Sequence, residues 1–279
     1  MCLLLVVASA FSHDSSGRPE IILRAHGSRP SVLAFMTENT NRLVAHIRRT
    51  LDDLGTPMSD AAYEYASLPL CVIDAVFSIG VRYESTERTV SDFCARYRWQ
   101  RDGRERTGGD HTISDFLQIL QTYENRWEAM ACEVFHNQQR TSTRSGILKA
   151  EAVYRFAKTL QQFGVETFAD ALKMGLSDDL RRATKTIPGQ ASGLSYSYFL
   201  ILAGNEDGVK ADRMVTRFVA NALGVPNVTP DLAEELVRKA SALLRSEFPK
   251  LMPSTLDNKI WKYQRDQDDS ASGNCCHGA

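Results

Sequence analysis

Apolar residues fall at helical spacing almost everywhere after residue 36. Leu43, Ile47, Leu51 and Leu54 recur at steps of three and four, the repeat that lets one helix face meet a core. The same rhythm predicts helices over residues 60–79, 85–99, 113–121, 125–135, 147–163, 168–174, 178–185, 193–202, 209–223, 230–247 and 254–265. Punctuation agrees with periodicity. Pro230 follows Thr229 as a first-turn proline follows a capping residue, and Gly164 and Gly224 fall where helices should end. No segment alternates as a strand does and no fixed-period repeat is present, so the expected fold class is all-α. Loops are expected at residues 101–111, 137–145 and 186–192, with a low-complexity, mobile tail after Asp266.

Composition narrows the function classes. The 279 residues are 43% apolar and 24% charged, which is globular rather than disordered. Lys and Arg number 33 against 34 Asp and Glu, for a net charge of −1, which excludes a basic nucleic-acid coat but not a DNA enzyme with one basic face. The six cysteines are Cys2, Cys71, Cys94, Cys132, Cys275 and Cys276, without a CxxC spacing, so no zinc ribbon or cluster ligand set is expected. Cys71, Cys94 and Cys132 read as small buried hydrophobes; Cys275, Cys276 and His277 read as a solvated tail. The opening run MCLLLVVASAF is too short to span a bilayer and lacks the basic start of a signal peptide. It is expected to be a disordered or mis-started extension over residues 1–35 of a cytoplasmic, reduced protein.

The segment from Lys185 to Gly224 carries the most chemistry. A helix ends, a Pro-Gly turn follows, and an apolar helix begins within a few residues, which reads as a helix-hairpin-helix. Glycine there tolerates positive φ and close approach, and the free N–H groups of the second helix suit a phosphate. The sequence resembles the helix-hairpin-helix (HhH-GPD) DNA glycosylases, the endonuclease III-like superfamily. Ile187, Pro188 and Gly189 match the family's hairpin, which here continues as Gln190, Ala191, Ser192 and Gly193, and Tyr198–Gly204 resembles its apolar helix. Asp212 falls at the family's catalytic aspartate and Arg217 at the arginine of the following helix. Upstream, Leu148-Lys149-Ala150-Glu151 and Ile73-Asp74-Ala75-Val76-Phe77-Ser78 resemble two further family helices, in the family's order.

The departures matter as much. Members with lyase activity carry a lysine five residues after the hairpin proline, and Gly193 stands there; the second hairpin glycine is Ala191, and the iron–sulfur cysteines are missing. Without that amine no Schiff-base nucleophile is evident. The resemblance then implies a monofunctional glycosylase without cofactor or metal, with Lys185 and Lys210 as the alternative sources of a relocated amine. A carboxylate suits this chemistry in its own right. N-glycosidic cleavage develops positive charge on the sugar, which Asp212 would stabilise while orienting or deprotonating water. The competing roles for Asp212 are a helix cap or an ion pair with Arg213 or Arg217.

Charge and aromatics complete the expectation. Arg96, Arg98, Arg101, Arg104 and Arg106 cluster, and Arg140, Arg144 and Lys149 lie in a stretch without acids, whereas acids collect around residues 52–64 and 266–269. A duplex contact through Lys149, Arg140, Arg144, Arg217 and the hairpin is expected, weakening with salt. Base extrusion needs a wedge and a pocket: Arg82 or Tyr83 would fill the gap, and Tyr123, Trp127, Tyr196 and Tyr198 are candidates for stacking, at most two of them in the pocket. The expected architecture is a two-lobed helical glycosylase domain over residues 36–265, with a middle lobe at about 69–182, a second lobe from the early and late helices, and a disordered tail over 266–279. The expected function is excision of a damaged or modified base, including bulky bases of foreign DNA, by a monomer acting on double-stranded DNA, in repair or defence and without membrane association. The alternatives are a non-catalytic DNA-binding protein that recognises distorted DNA, and an unrelated helical interaction domain.

Overall fold

A computed structural model describes residues 31–55, 65–103, 111–174 and 177–273. Met1–Phe35 and Met36–Ala279 form separate units, and the account below concerns the second. The expectations for residues 1–30, Arg104, Arg106, the start of the 60–79 helix, Cys2, Cys275, Cys276 and His277 lie outside the described residues, whereas residues 32–35 of the expected extension are helical.

All regular elements among the described residues are helices. They are α1 (Val32–Thr50), α2 (Leu68–Phe77), α3 (Tyr83–Tyr97), α4 (Ile113–Gln121), α5 (Trp127–Ala129, continuing as a π-helical turn over Met130–Val134), α6 (Lys149–Gln162), α7 (Phe168–Met174), α8 (Asp178–Lys185), α9 (Leu194–Leu202), α10 (Arg213–Leu223), α11 (Pro230–Leu244) and α12 (Pro253–Gly273). Isolated bridges join Tyr65 to Asp102 and Arg140 to Leu148. Caps explain several boundaries. Thr112 and Asp115 form a reciprocal capping box at α4, Thr229 caps α11 ahead of Pro230, and Gly224 ends α10 at φ 66°.

The helices enclose two hydrophobic cores. The first runs from Tyr65 to Ala203, with Phe93 edge-on to Phe116 and Phe156 edge-on to Phe199, both at 5.5 Å. At its centre α2 is buried at all ten positions, Asp74 included. A helix buried all round is apolar all round, as LPLCVIDAVF nearly is. The second core joins the Leu43, Ile47, Leu51 and Leu54 face to Val215, Phe218, Leu236, Leu256 and Ile260. Fully burying each such side chain contributes roughly 1.5–3 kcal/mol.

Four expectations need correction. The first core extends past residue 182 to take in α9, because Tyr196, Phe199, Leu200 and Leu202 are buried in it. The helix expected from residue 209 starts at Arg213, where Asp212 caps it. The expected tail is helical to Gly273, since Arg217 of α10 bonds Gln264 and Asp268 and holds α12 in place. Cys71 and Cys94 are buried, but Cys132 is exposed.

Candidate active site

A cleft of about 720 Å³ is lined by the α2–α3 connection, the start of α9, the segment before α10, and one face of α12. Its size suits a base or nucleoside, since ligand pockets commonly hold roughly 300–1,000 Å³. Asp212 lies in its wall. The backbone there is extended (φ −78°, ψ −172°), and Oδ1 accepts from the N–H groups of Met214 at 2.8 Å and Val215 at 3.2 Å. Asp212 is therefore a helix cap, and both capping bonds use the same oxygen. Capping fixes its carboxylate at the positive end of α10.

Lys210 reaches the same cleft. The Asp212 N–H donates to the Lys210 carbonyl at 2.6 Å, a tight turn that keeps the two residues together. Lys210 Nζ lies 3.7 Å from the centre of the Tyr198 ring and 3.3 Å from Ser78 Oγ. The Lys210 backbone N–H donates to Asp257 Oδ1 at 3.1 Å. Behind it, Tyr65 donates its hydroxyl to Asp74 Oδ2 at 2.9 Å. Burial pushes the Asp257 carboxyl well above the usual range, and the Asp212 charge adds to this. Burial likewise raises Asp74 to about 6, against the hydrogen bond from Tyr65 and the charge of Lys210. Desolvation lowers Lys210, opposed by Asp212, Asp74 and Asp257. One amine thus serves several carboxylates in a poorly solvated site.

The far wall is α12. Asp257, Trp261, Arg265 and Asp268 fall at helical spacing on its cleft side with Asn258, while Leu256 and Ile260 face the second core. Tyr83 meets Trp261 edge-on at 6.3 Å, and the Arg265 guanidinium sits 5.1 Å from the Trp261 ring centre. Sequence reasoning missed this wall; the signal was a polar and aromatic stripe opposite the apolar one.

Of the expected pocket residues, Arg82, Tyr83 and Tyr198 line the cleft. Three others do not. The Tyr123 hydroxyl donates to Glu133, Trp127 packs on Tyr154, and Tyr196 is buried beside a separate hollow of about 290 Å³. Two expected DNA contacts have partners inside the protein, and the burial of one corrects its expectation. Lys149 is 2% exposed, and its ammonium donates to the carbonyls of Phe77 and Ile79, both at 2.8 Å, and to Gln139 at 3.2 Å. It ties down the end of α2, and burial lowers it to about 8. Arg217 is engaged by Gln264, Asp268 and the Met214 sulfur. Both cations hold helices together, and Lys149 is too buried to meet a phosphate.

The hairpin joins α8 to the cleft. The Gln190 N–H donates to the Ile187 carbonyl and the Gly193 N–H to the Gln190 carbonyl, each at 2.9 Å, so two turns follow in succession. Gly189 and Gly193 have φ of 84° and 77°. Ile187, Gln190 and Gly193 are buried, while Pro188, Gly189, Ala191 and Ser192 are exposed. Leu194, directly after the hairpin, lines the cleft. Lys185 is exposed, and its aliphatic stem lies beside Gly193, where an added Cβ would meet its Cδ at 3.6 Å. Gly189 abuts Thr141, in the loop that carries the exposed Arg140 and Arg144. An added Cβ at Gly189 would come within 2.3 Å of Thr141 Cβ. Gly189→Ala is therefore expected to destabilise the fold by about 1–3 kcal/mol, through positive φ and overpacking, as urea denaturation would measure.

Among the described residues no His, Cys, Asp and Glu grouping has the form of a metal site, and no helix is long and apolar enough to cross a membrane. No curated protein matches the chain. Residues 41–265 match the model of a family described as a domain of unknown function, DUF8548. That span takes in residues of both cores, the hairpin and Asp212, and the chain belongs to the DUF8548 family.

Proposed function

We propose that the protein is a monofunctional DNA glycosylase that hydrolyses the N-glycosidic bond of a damaged or modified base and leaves an abasic site. The observation that carries the reading is Asp212, fixed as the cap of α10 in the wall of a base-sized cleft that also receives the start of the hairpin's second helix. In this reading the two cores are the lobes of a glycosylase-like fold, with the extruded nucleotide between them. Asp212 stabilises charge on the sugar and takes a proton from the attacking water. Tyr83, Tyr198 and Trp261 supply flat faces for the base. The exposed hairpin residues, with Arg140 and Arg144, hold the phosphate backbone.

The test is mass spectrometry of bases released from normal, alkylated, oxidised and phage-modified DNA. Release of no base from any of them would refute the catalytic reading. The duplex contact has a separate test. Arg140→Ala and Arg144→Ala should weaken binding to all sequences alike, and each should reduce the slope of log K against log[salt] by about 1. Filter-binding titrations over a range of salt would read this, and salt-independent binding would argue for a helical interaction domain instead.

The capping role of Asp212 favours one second reading, a non-catalytic protein that recognises distorted DNA, because the cap alone accounts for an aspartate there. Tight binding to abasic-site duplex without any base release would support it.

A further inference from the structure

Lys210 is the cleft's unused reactive group. Its ammonium sits over the face of Tyr198 and beside the Ser78 hydroxyl, two residues from Asp212. The groups that act on it come from every side: Asp74 of α2, Lys149 of α6, Tyr198 of α9, Asp257 of α12, and Asp212. Burial lowers the amine, and the ring face with the carboxylates of Asp212, Asp74 and Asp257 opposes this by holding its proton. A charged amine at the sugar–base junction can give a proton but cannot attack carbon.

We propose that Lys210 is the general acid that protonates the departing base, partnering Asp212 as the base that activates water. This rests on the glycosylase reading. The C1′–N bond breaks with its electron pair passing to the base nitrogen, and the Lys210 ammonium delivers one proton to the base. Water oxygen bonds to C1′ and loses one proton to Asp212. Proton return from Asp212 to Lys210, directly or through water, resets the site, so one water is consumed and no bond to the protein forms. Desolvation strengthens the donor, because it weakens the hold of the amine on its proton relative to a free lysine.

The experiment compares Lys210→Met and Lys210→Arg with the wild type on duplexes carrying uracil, hypoxanthine or N7-methylguanine, and on any base found to be released. Uracil and hypoxanthine leave as anions unless protonated, whereas cationic N7-methylguanine leaves neutral. Lys210→Met is expected to slow release of neutral bases by about 10²–10⁴-fold and of N7-methylguanine by less than about tenfold, and Lys210→Arg to retain more activity than Met. The wild-type profile of kcat against pH should show an alkaline limb below the ordinary lysine range that Lys210→Met removes. That limb decides the matter if only neutral bases are substrates. Thermal unfolding of each variant separates loss of fold from loss of chemistry. Equal slowing of neutral and cationic bases or an unchanged alkaline limb would overturn the proposal while leaving the glycosylase reading intact; a borohydride-trapped adduct that depends on Lys210 would overturn it together with the monofunctional part of that reading, base excision itself standing. A wild type that releases no base would overturn both.

Discussion

Asp212→Asn is expected to lower the rate of base release by about 10²–10⁴-fold while leaving stability nearly unchanged. The two effects separate because Asp212 holds two roles. As a cap it needs only an acceptor oxygen for the Met214 and Val215 N–H groups, and asparagine supplies one as well as aspartate does. As a catalyst it needs negative charge opposite the sugar and affinity for a proton, and the amide has neither. Asp212→Ala would lose both roles, with about 1 kcal/mol of stability gone alongside the activity. Rates of abasic-site formation and urea denaturation of both variants make the comparison. Undiminished abasic product from Asp212→Asn would sink the catalytic assignment, and the capping role would then be a sufficient account of the residue.

The sequence made the helices legible because most are amphipathic with explicit ends. The spacing predicts helices at residues 113–121, 168–174 and 178–185, and the structure has α4, α7 and α8 at those bounds. Thr112 and Ser177 cap two of these with side-chain oxygens, which explains the sharp starts. The cleft was half legible. Asp212, Arg82, Tyr83 and Tyr198 stand in its wall, close to the hairpin or the end of α2 in sequence. The opposite wall was hidden because α12 reads as a short apolar strip, Leu256 and Ile260, followed by polar residues typical of a tail. Its order comes from Arg217 bridging to Gln264 and Asp268, a tertiary contact that no local pattern encodes. Charge was legible as sign but not as place. Lys149 counts equally with Arg140 and Arg144 in a sequence tally, yet it is buried and satisfies carbonyls inside the fold. Whether a cation meets a phosphate depends on burial, and burial depends on the partners the fold brings.

Asp74→Asn is expected to stabilise the protein at pH 7 by about 1–3 kcal/mol. Asp74 is wholly buried, and burial raises its carboxyl from 3.8 to about 6. Between those values the unfolded chain has released the proton that the folded chain still holds. Stability therefore falls as pH rises through this window and stays lower above it, by roughly 1.4 kcal/mol for each unit of the shift. Asparagine keeps the shape and an acceptor for the Tyr65 hydroxyl without the buried charge. Asp257, also raised, contributes a slope of the same sign, so the substitution should flatten the dependence between pH 4 and 6 without abolishing it. Lys149 acts in a different window, from about 8 to its ordinary 10.5, where stability rises with pH. Urea denaturation from pH 4 to 7.5 would measure the effect; a less stable variant with the wild-type slope would show that Lys210 and Arg101 more than compensate the ion. The same substitution withdraws one of the carboxylates that hold the Lys210 proton. If Lys210 is the acid of the reaction, Asp74→Asn should therefore move the alkaline limb of activity to lower pH while the fold becomes more stable. A buried carboxylate that costs stability would then be retained because it keeps a catalytic amine charged.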